Sequence, residues 1–269
     1  MTTDAAPVRA VLGLTLLGGA LLALTVAGCK GNAPDADAGR PASARVFPRP
    51  DRPVSRSIAS EFSTEDQRDK LGEARMVMDL AQIGAGSTVA DIGAGEGYYT
   101  VRLAARVGKS GRVLAQDIDP GAIERLGRRV EHDRLDNVSI KTGTGDDPKL
   151  PANSFDRIFM VRMYHEVAEP YAFLWRLRPA LRPGGSVIVV DSDRPADQHG
   201  MPPALLFCEF GAVGFRLTEF VRKPEVTGYY AKFEAVGPRP APLAIRPCKA
   251  RWGTAERGKL DAAETSAPH

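Results

Sequence analysis

Val89-Ala90-Asp91-Ile92-Gly93-Ala94-Gly95-Glu96-Gly97-Tyr98-Tyr99-Thr100 is the stretch that decides the fold of this chain. A short apolar strand ends in an aspartate, breaks into glycines at alternate positions and runs into a helix. Glycines at that spacing let the backbone turn sharply and let a nucleotide-like ligand lie against the main chain with no Cβ in the way. The spacing also separates ligand classes. A dinucleotide-binding turn, G-x-G-x-x-G, would place its third glycine at position 98, where Tyr98 stands.

The rest of the composition sets bounds around that motif. With 269 residues, 43% apolar and 26% charged, the chain has ample material for one sizeable core plus tails. A formal net charge of +3, without a basic stripe interleaved with aromatics, argues against nucleic acid as a partner. Cys29, Cys208 and Cys248 make neither a disulfide framework nor a metal site, so no metal is expected. A Cys208–Cys248 disulfide is open in an oxidising compartment, but spacing alone does not establish its geometry.

The amino terminus reads as an export signal. Arg9 precedes an uncharged apolar run from Ala10 to Ala27, and small residues lead into Cys29. The ending Val26-Ala27-Gly28-Cys29 resembles a bacterial lipobox, which implies cleavage before Cys29 and a lipid anchor on it. An uncleaved membrane anchor with an incidental cysteine is the alternative. Either places the domain at a membrane, facing the periplasm, and Lys30 in place of an aspartate points to onward sorting to an outer membrane. A downstream start, for instance at Val54, would instead leave the protein cytoplasmic. The expected organisation is a signal over 1–29, a flexible tether over 30–60 rich in Pro, Ala, Asp and Arg, a folded domain over 61–236, and a disordered tail over 237–269.

Within the domain, strand and helix signals alternate, which predicts an α/β doubly wound sheet with helices on both faces. Strands are expected at 88–91, 111–117, 138–141, 157–161 and 186–191, then two more at 216–222 and 229–234. Tyr99, Leu103 and Val107 fall on one face of the helix after the glycines. Asp119-Pro120 reads as a helix start, with aspartate at the N-cap, proline at the first helical position, and Ile123, Leu126 and Val130 facing inward. Further helices open at Pro170 and at Pro202-Pro203.

Several motifs then agree in order and spacing. Asp91-x-Gly93-x-Gly95-x-Gly97 is followed by Asp147-Pro148-Lys149-Leu150-Pro151, by Asn153-Ser154-Phe155-Asp156 entering a strand, and by Leu181-Arg182-Pro183-Gly184-Gly185 before another. From about Arg68 to Val236 the chain resembles class I S-adenosylmethionine-dependent methyltransferases. Its nearest likeness is to the small-molecule branch that includes the ubiquinone and menaquinone methyltransferases, and to a subset with Tyr-His after the fourth strand. The resemblance implies a Rossmann-like, mostly parallel seven-stranded sheet with an antiparallel last strand. It implies S-adenosyl-L-methionine as cofactor and a small-molecule acceptor, methylated by in-line substitution.

Residue roles come from the resemblance and from where ligands lie in open parallel sheets, across the carboxyl ends of the strands where their order reverses. Gly93, Gly95 and Gly97 would lie under the methionine and ribose parts, and Asp91 would hold the loop or reach the ligand's amino group. Asp117, followed by Ile118, suits the ribose because two acceptor oxygens match a vicinal diol. Asp119 is its competitor, explained as a helix cap. Asp146 matches the family position that bonds the adenine amino group, with Asp147 as the near alternative. After the fourth strand, Tyr164 and His165 are the candidate catalytic residues, His165 as general base and Tyr164 as substrate-positioning partner. A purely structural role for His165, bonding backbone at the strand end, stays open. Cys208, Phe173 and Trp175 read as packing residues. No Asp/Asn-Pro-Pro-aromatic motif is present, which argues against methylation of nucleic-acid bases. Export away from the site of cofactor synthesis leaves an inactive cofactor-binding or structural envelope lipoprotein as the alternative function.

Overall fold

The computed structural model describes residues 1–2, 37–55, 65–223 and 228–249. The segment read as an export signal, the lipobox-like ending with Cys29 and most of the expected last tail lie outside the described residues. Residues 1–38 and 39–269 are separate compact units, and the sheet and its helices belong to the second. No helix among the described residues is long and apolar enough to cross a membrane.

Seven strands form one sheet: β1 (Thr88–Ile92), β2 (Arg112–Asp117), β3 (Val138–Thr142), β4 (Phe155–Val161), β5 (Leu181–Asp191), β6 (Phe215–Lys223) and β7 (Gly228–Ala235). Their order is β3-β2-β1-β4-β5-β7-β6, the first five parallel and β7 antiparallel to both β5 and β6. This is the doubly wound, mostly parallel architecture expected from the sequence, with β7 inserted between β5 and β6. The order reverses between β1 and β4, so a crevice opens there at the carboxyl ends. Ile158, Phe159, Val187, Val189 and Val190 are buried, because central parallel strands are covered on both faces.

The helices are α1 (Glu65–Lys70), α2 (Glu73–Leu80), α3 (Tyr98–Val107), α4 (Pro120–His132), α5 (Pro170–Leu177) and α6 (Pro203–Ala212). Asp119 caps α4 by accepting from the N–H groups of Gly121 at 3.0 Å and Ala122 at 3.2 Å, as its place before Pro120 predicts. One apolar cluster, containing Ile83, Val89, Tyr99, Leu103 and Val107, forms where α2 and α3 pack; a second lies under α5 and α6.

Both flanking segments differ from expectation. Residues 39–55, read as flexible tether, run over the α5–α6 layer: Phe47 is buried with its ring edge-on to Trp175 at 5.5 Å. Arg40 pairs with Glu169 at 2.7 Å, and Arg52 with Glu209 at 2.8 Å. The start of the second tail packs as well. Ile245 and Cys248 are buried, Cys248 is disulfide-bonded to Cys208, and Trp175 donates to the Pro240 carbonyl at 2.8 Å. Asp51 and Lys249 form a parallel bridge between the two segments. Composition misled because Arg and Pro score as solvated, whereas these arginines meet buried carboxylates far away in sequence. Cys208 is exposed apart from its disulfide, so it is not a core residue.

Candidate functional site

The site is assembled from the carboxyl ends of β1, β2, β4 and β5 and the loop after β3. After β1 the chain turns through Gly93, Gly95 and Gly97, all at positive φ. Two of these glycines are required for different reasons. A Cβ on Gly97 would strike Leu126 of α4 at 2.5 Å, so this glycine lets α3 and α4 pack. A Cβ on Gly95 would meet nothing within 4 Å, so this glycine supplies its φ of +56° and leaves open space above the backbone.

Asp117, at the end of β2, ties that loop to the sheet. Its Oδ2 accepts from the Gly95 N–H at 2.8 Å, and its Oδ1 from the N–H groups of Ile118 at 2.7 Å and Asp119 at 3.0 Å. A carboxylate has about four acceptor positions, so capacity remains for a ligand hydroxyl. Ile118 beside it, just past the carboxyl end of β2, is 56% exposed.

Asp91 is buried and accepts from the Thr100 hydroxyl at 2.6 Å. Burial pushes its carboxyl up to about 6, because no cation bonds it directly among the described residues. A ligand ammonium at this carboxylate would relieve that cost. Just beyond lies a cluster that sequence reasoning missed. Glu73 on α2, fully buried, accepts from Arg68 at 2.6 Å, Arg162 at 2.8 Å and the Tyr99 hydroxyl at 3.2 Å. The Arg68 guanidinium lies 3.8 Å from the centre of the Tyr98 ring. Arg162 sits in a left-handed conformation (φ +54°) directly after β4, a strained turn at the crevice. The positive φ of Arg162 has no sequence signal, and Arg68 and Glu73 stand five residues apart at the junction of α1 and α2.

The loop after β3 departs from expectation. Asp146 is buried, with its Oδ2 accepting from Ser43 and from Arg176, each at 2.6 Å, and its Oδ1 from the Thr144 hydroxyl at 2.9 Å. Burial pushes this carboxyl up, but the three hydrogen bonds outweigh it and hold it below the usual range. Asp146 therefore anchors residues 39–55 to the domain through Oδ2, and its Oδ1, with the single Thr144 partner, keeps one acceptor position. Asp147 closes its own turn by accepting from the Lys149 N–H at 2.7 Å.

After β4, a single 3₁₀ turn over Tyr164–Glu166 places the two candidate catalytic residues in different surroundings. Tyr164 is fully buried and donates to Glu209 at 2.7 Å, so it faces the core and not a substrate. Its neighbour Arg52 also donates to the carbonyls of Val167 at 2.9 Å and His165 at 3.4 Å, fixing the loop from behind. His165 is fully buried, with Nδ1 3.0 Å from both oxygens of Asp191 at the end of β5. The Asp191 Oδ1 also accepts from the Ser192 N–H at 2.8 Å. A carboxylate only accepts, so the network assigns the proton to Nδ1 and turns the lone pair of Nε2 away from Asp191. Among the described residues Nε2 has no hydrogen-bond partner. The alternative that His165 merely bonds backbone through its ring is not what the structure has; its ring partner is Asp191.

Comparison with known proteins fits this geometry. Residues 89–185 match the family described as methyltransferase domain. The ubiquinone/menaquinone biosynthesis C-methyltransferase of Hahella chejuensis is 29% identical over 147 residues, 52% of this chain and 59% of that protein. The protein-L-isoaspartate O-methyltransferase of Methanothrix thermoacetophila is 32% identical over 114 residues, 42% of this chain and 51% of that one. The chain thus spans between half and three-fifths of the length of these two relatives. A crystal structure of a SAM dependent methyltransferase from Aquifex aeolicus superposes with a TM-score of 0.56 at 22% identity, over 65% of this chain and all of that one, which shows the fold. The match over residues 89–185 and the shared fold make this chain similar to S-adenosylmethionine-dependent methyltransferases.

Proposed function

We propose that the protein transfers a methyl group from S-adenosyl-L-methionine to a small-molecule acceptor at the crevice between β1 and β4. The observation that carries this reading is the trio of Asp91, the Gly93–Gly97 turn and Asp117 at the switch point, with an oriented histidine on the far side of the same crevice. The residues present fit the cofactor. Asp117 retains acceptor capacity for one ribose hydroxyl, the space above Gly95 admits the ligand against the main chain, and the buried Asp91 carboxylate lacks the cation that an amino group would bring. Ile118 would pack against the adenine, while Asp146, engaged with Ser43 and Arg176, would shape that end.

When bound, the cofactor supplies a sulfonium methyl group that is already electrophilic. The protein's task is to hold an acceptor in line with it, and positioning of this kind is worth roughly 7–11 kcal/mol in well-oriented systems. The loop 162–167, clamped by Arg52 and by Arg162–Glu73, presents the acceptor. His165 withdraws the acceptor's proton on the side away from Asp191.

Export as a lipid-anchored envelope protein is part of the same proposal. The lipobox at Cys29 motivates it, and the Cys208–Cys248 disulfide supports it, since such bonds persist in oxidising compartments. Globomycin-sensitive processing that is lost in Cys29→Ser tests that part. For the reaction, purified protein is incubated with methyl-labelled S-adenosylmethionine and fractionated envelope and cytosolic extracts. The proposal expects label in an organic-soluble product with stoichiometric S-adenosylhomocysteine. Cofactor binding without turnover on any fraction would favour the inactive binding protein.

A further inference from the structure

We propose that His165, His199 and Glu166 form a three-ligand site for a zinc-class divalent metal ion beside the crevice. Sequence reading expected no metal, because it looked for clustered cysteines and these residues are not near neighbours as a set. The fold brings them together: one ligand atom from each lies within 4.8 Å of the other two. The His165 Nε2 stands 3.9 Å from the Glu166 carboxylate, and the two imidazole rings meet edge to face with centroids 5.8 Å apart.

The feature that separates this cluster from an ordinary polar patch is the His165 ring. It is fully buried, and its Nε2 has no hydrogen-bond partner among the described residues. An unsatisfied buried nitrogen is costly, so a group is expected to meet it. Its other nitrogen is held by a bidentate contact to Asp191, itself fixed by the Ser192 N–H. A carboxylate that orients a histidine from behind, sets its tautomer and raises its basicity is the usual outer shell of a metal-bound imidazole. The ligand loops are tied together as well. Ser55 donates to the Ala196 carbonyl, accepts from the His199 N–H at 3.1 Å, and its own N–H reaches the His165 carbonyl at 3.3 Å. Glu166 and His199 are half-buried, which leaves a way in for an ion.

Two imidazoles and one carboxylate favour a borderline ion of the zinc class over calcium or magnesium, which take all-oxygen sets. Three protein ligands leave a fourth position open, as in catalytic rather than structural zinc sites. The consequence for the reaction rests on the methyltransferase reading. An acceptor hydroxyl bound at the open position would lose its proton to solvent. The oxygen lone pair would then form the new O–CH3 bond as the S–CH3 bond breaks, leaving its electron pair on the neutral thioether. In the metal-bound form His165 Nε2 is a ligand, and ionisation of the acceptor on the metal replaces proton removal by the ring.

The test needs no substrate. The full chain, stripped with chelator, is titrated with Zn2+ and with Co2+, read by calorimetry and by the visible spectrum of bound cobalt. One saturable site per chain is expected, with a four- or five-coordinate cobalt spectrum and no thiolate charge-transfer band. His199→Ala and Glu166→Gln should abolish that spectrum, and Asp191→Asn should weaken affinity 10- to 100-fold. His132→Ala, a change at an exposed histidine elsewhere, should leave it intact. Circular dichroism checks that each variant is folded. No stoichiometric binding by the folded wild type, or binding unchanged in His199→Ala, would overturn the site. S-adenosylhomocysteine binding, measured in parallel on the stripped protein, reports on the methyltransferase reading separately: its failure beside intact cobalt binding would remove that reading and leave the metal site standing.

Discussion

The two ends of the crevice are built by opposite strategies. At the β1–β2 end, the residues proposed to hold the cofactor lie mostly between Asp91 and Ile118, and much of the structure there is backbone: a glycine turn, a helix start, and Asp117 accepting three main-chain N–H groups. At the β4–β5 end, the groups come from distant parts of the chain. His165 depends on Asp191, its loop on Arg52, and Arg52 on Glu209 in α6. The first end is a local solution that tolerates variation elsewhere. The second is a set of buried ion pairs and hydrogen bonds that fails if one member is lost. Under the proposed function, acceptor chemistry would sit on the side-chain-built end and cofactor chemistry on the backbone-built end.

Four changes break or sharpen this contrast, in descending order of effect. Arg52→Ala leaves Glu209 buried without its cation and should cost about 3–5 kcal/mol in urea unfolding. Arg52→Met with Glu209→Leu should cost far less, since it removes both charges; equal losses for the two would show that packing, not charge, holds the loop. Reducing the Cys208–Cys248 bond, or Cys208→Ser, should cost about 2–4 kcal/mol, because the bond closes a 40-residue separation. An unchanged midpoint would mean the second tail contributes nothing. Asp117→Asn should leave the unfolding midpoint close to wild type yet weaken cofactor binding by about 1.5–3 kcal/mol, the range of a hydrogen bond to a charged group.

The fourth concerns pH. Burial raises the Asp91 carboxyl above its unfolded value to about 6, so the cofactor-free fold gains stability as pH falls from about 6 toward 4, where the folded state holds a proton that the unfolded chain does not. A ligand ammonium favours the ionised carboxylate, so cofactor binding should weaken as pH falls below about 6, by at most tenfold per pH unit for one linked proton. Calorimetric titrations from pH 5 to 7 test this, and Asp91→Asn should flatten the dependence. A pH-independent wild type would remove Asp91 from the ligand's amino end.

Legibility in the sequence divides along the same line. The alternating elements, the strand inserted antiparallel, the Asp119 cap and the Gly93–Gly97 turn are signals carried by neighbouring residues, and each reappears in the structure. Residues 39–55 and 237–249 were not legible, because Phe47, Arg52, Ile245 and Cys248 are isolated in polar stretches and their burial is decided by partners more than a hundred residues away or by one disulfide. Asp146 shows the same limit from inside a motif. Its spacing matches an adenine-binding position, and nothing in that spacing foretells that Ser43 and Arg176 both bond its Oδ2. Tyr164 and His165 are adjacent in sequence but diverge, one into the core against Glu209 and the other toward Asp191, because a 3₁₀ turn sends consecutive side chains in different directions.

The central claim is that the glycine turn and Asp117 bind S-adenosylmethionine, and the most direct test is a calorimetric titration of the purified protein with S-adenosylmethionine and S-adenosylhomocysteine, alongside Gly95→Val. A Cβ there meets nothing in the protein within 4 Å, so the added side chain would fill the space left for the ligand, and the positive φ strains the turn. The account predicts saturable one-to-one binding of both ligands by the wild type, lost in a Gly95→Val variant that circular dichroism shows to be folded. Absence of saturable binding by the folded wild type, or equal binding by Gly95→Val, would contradict it.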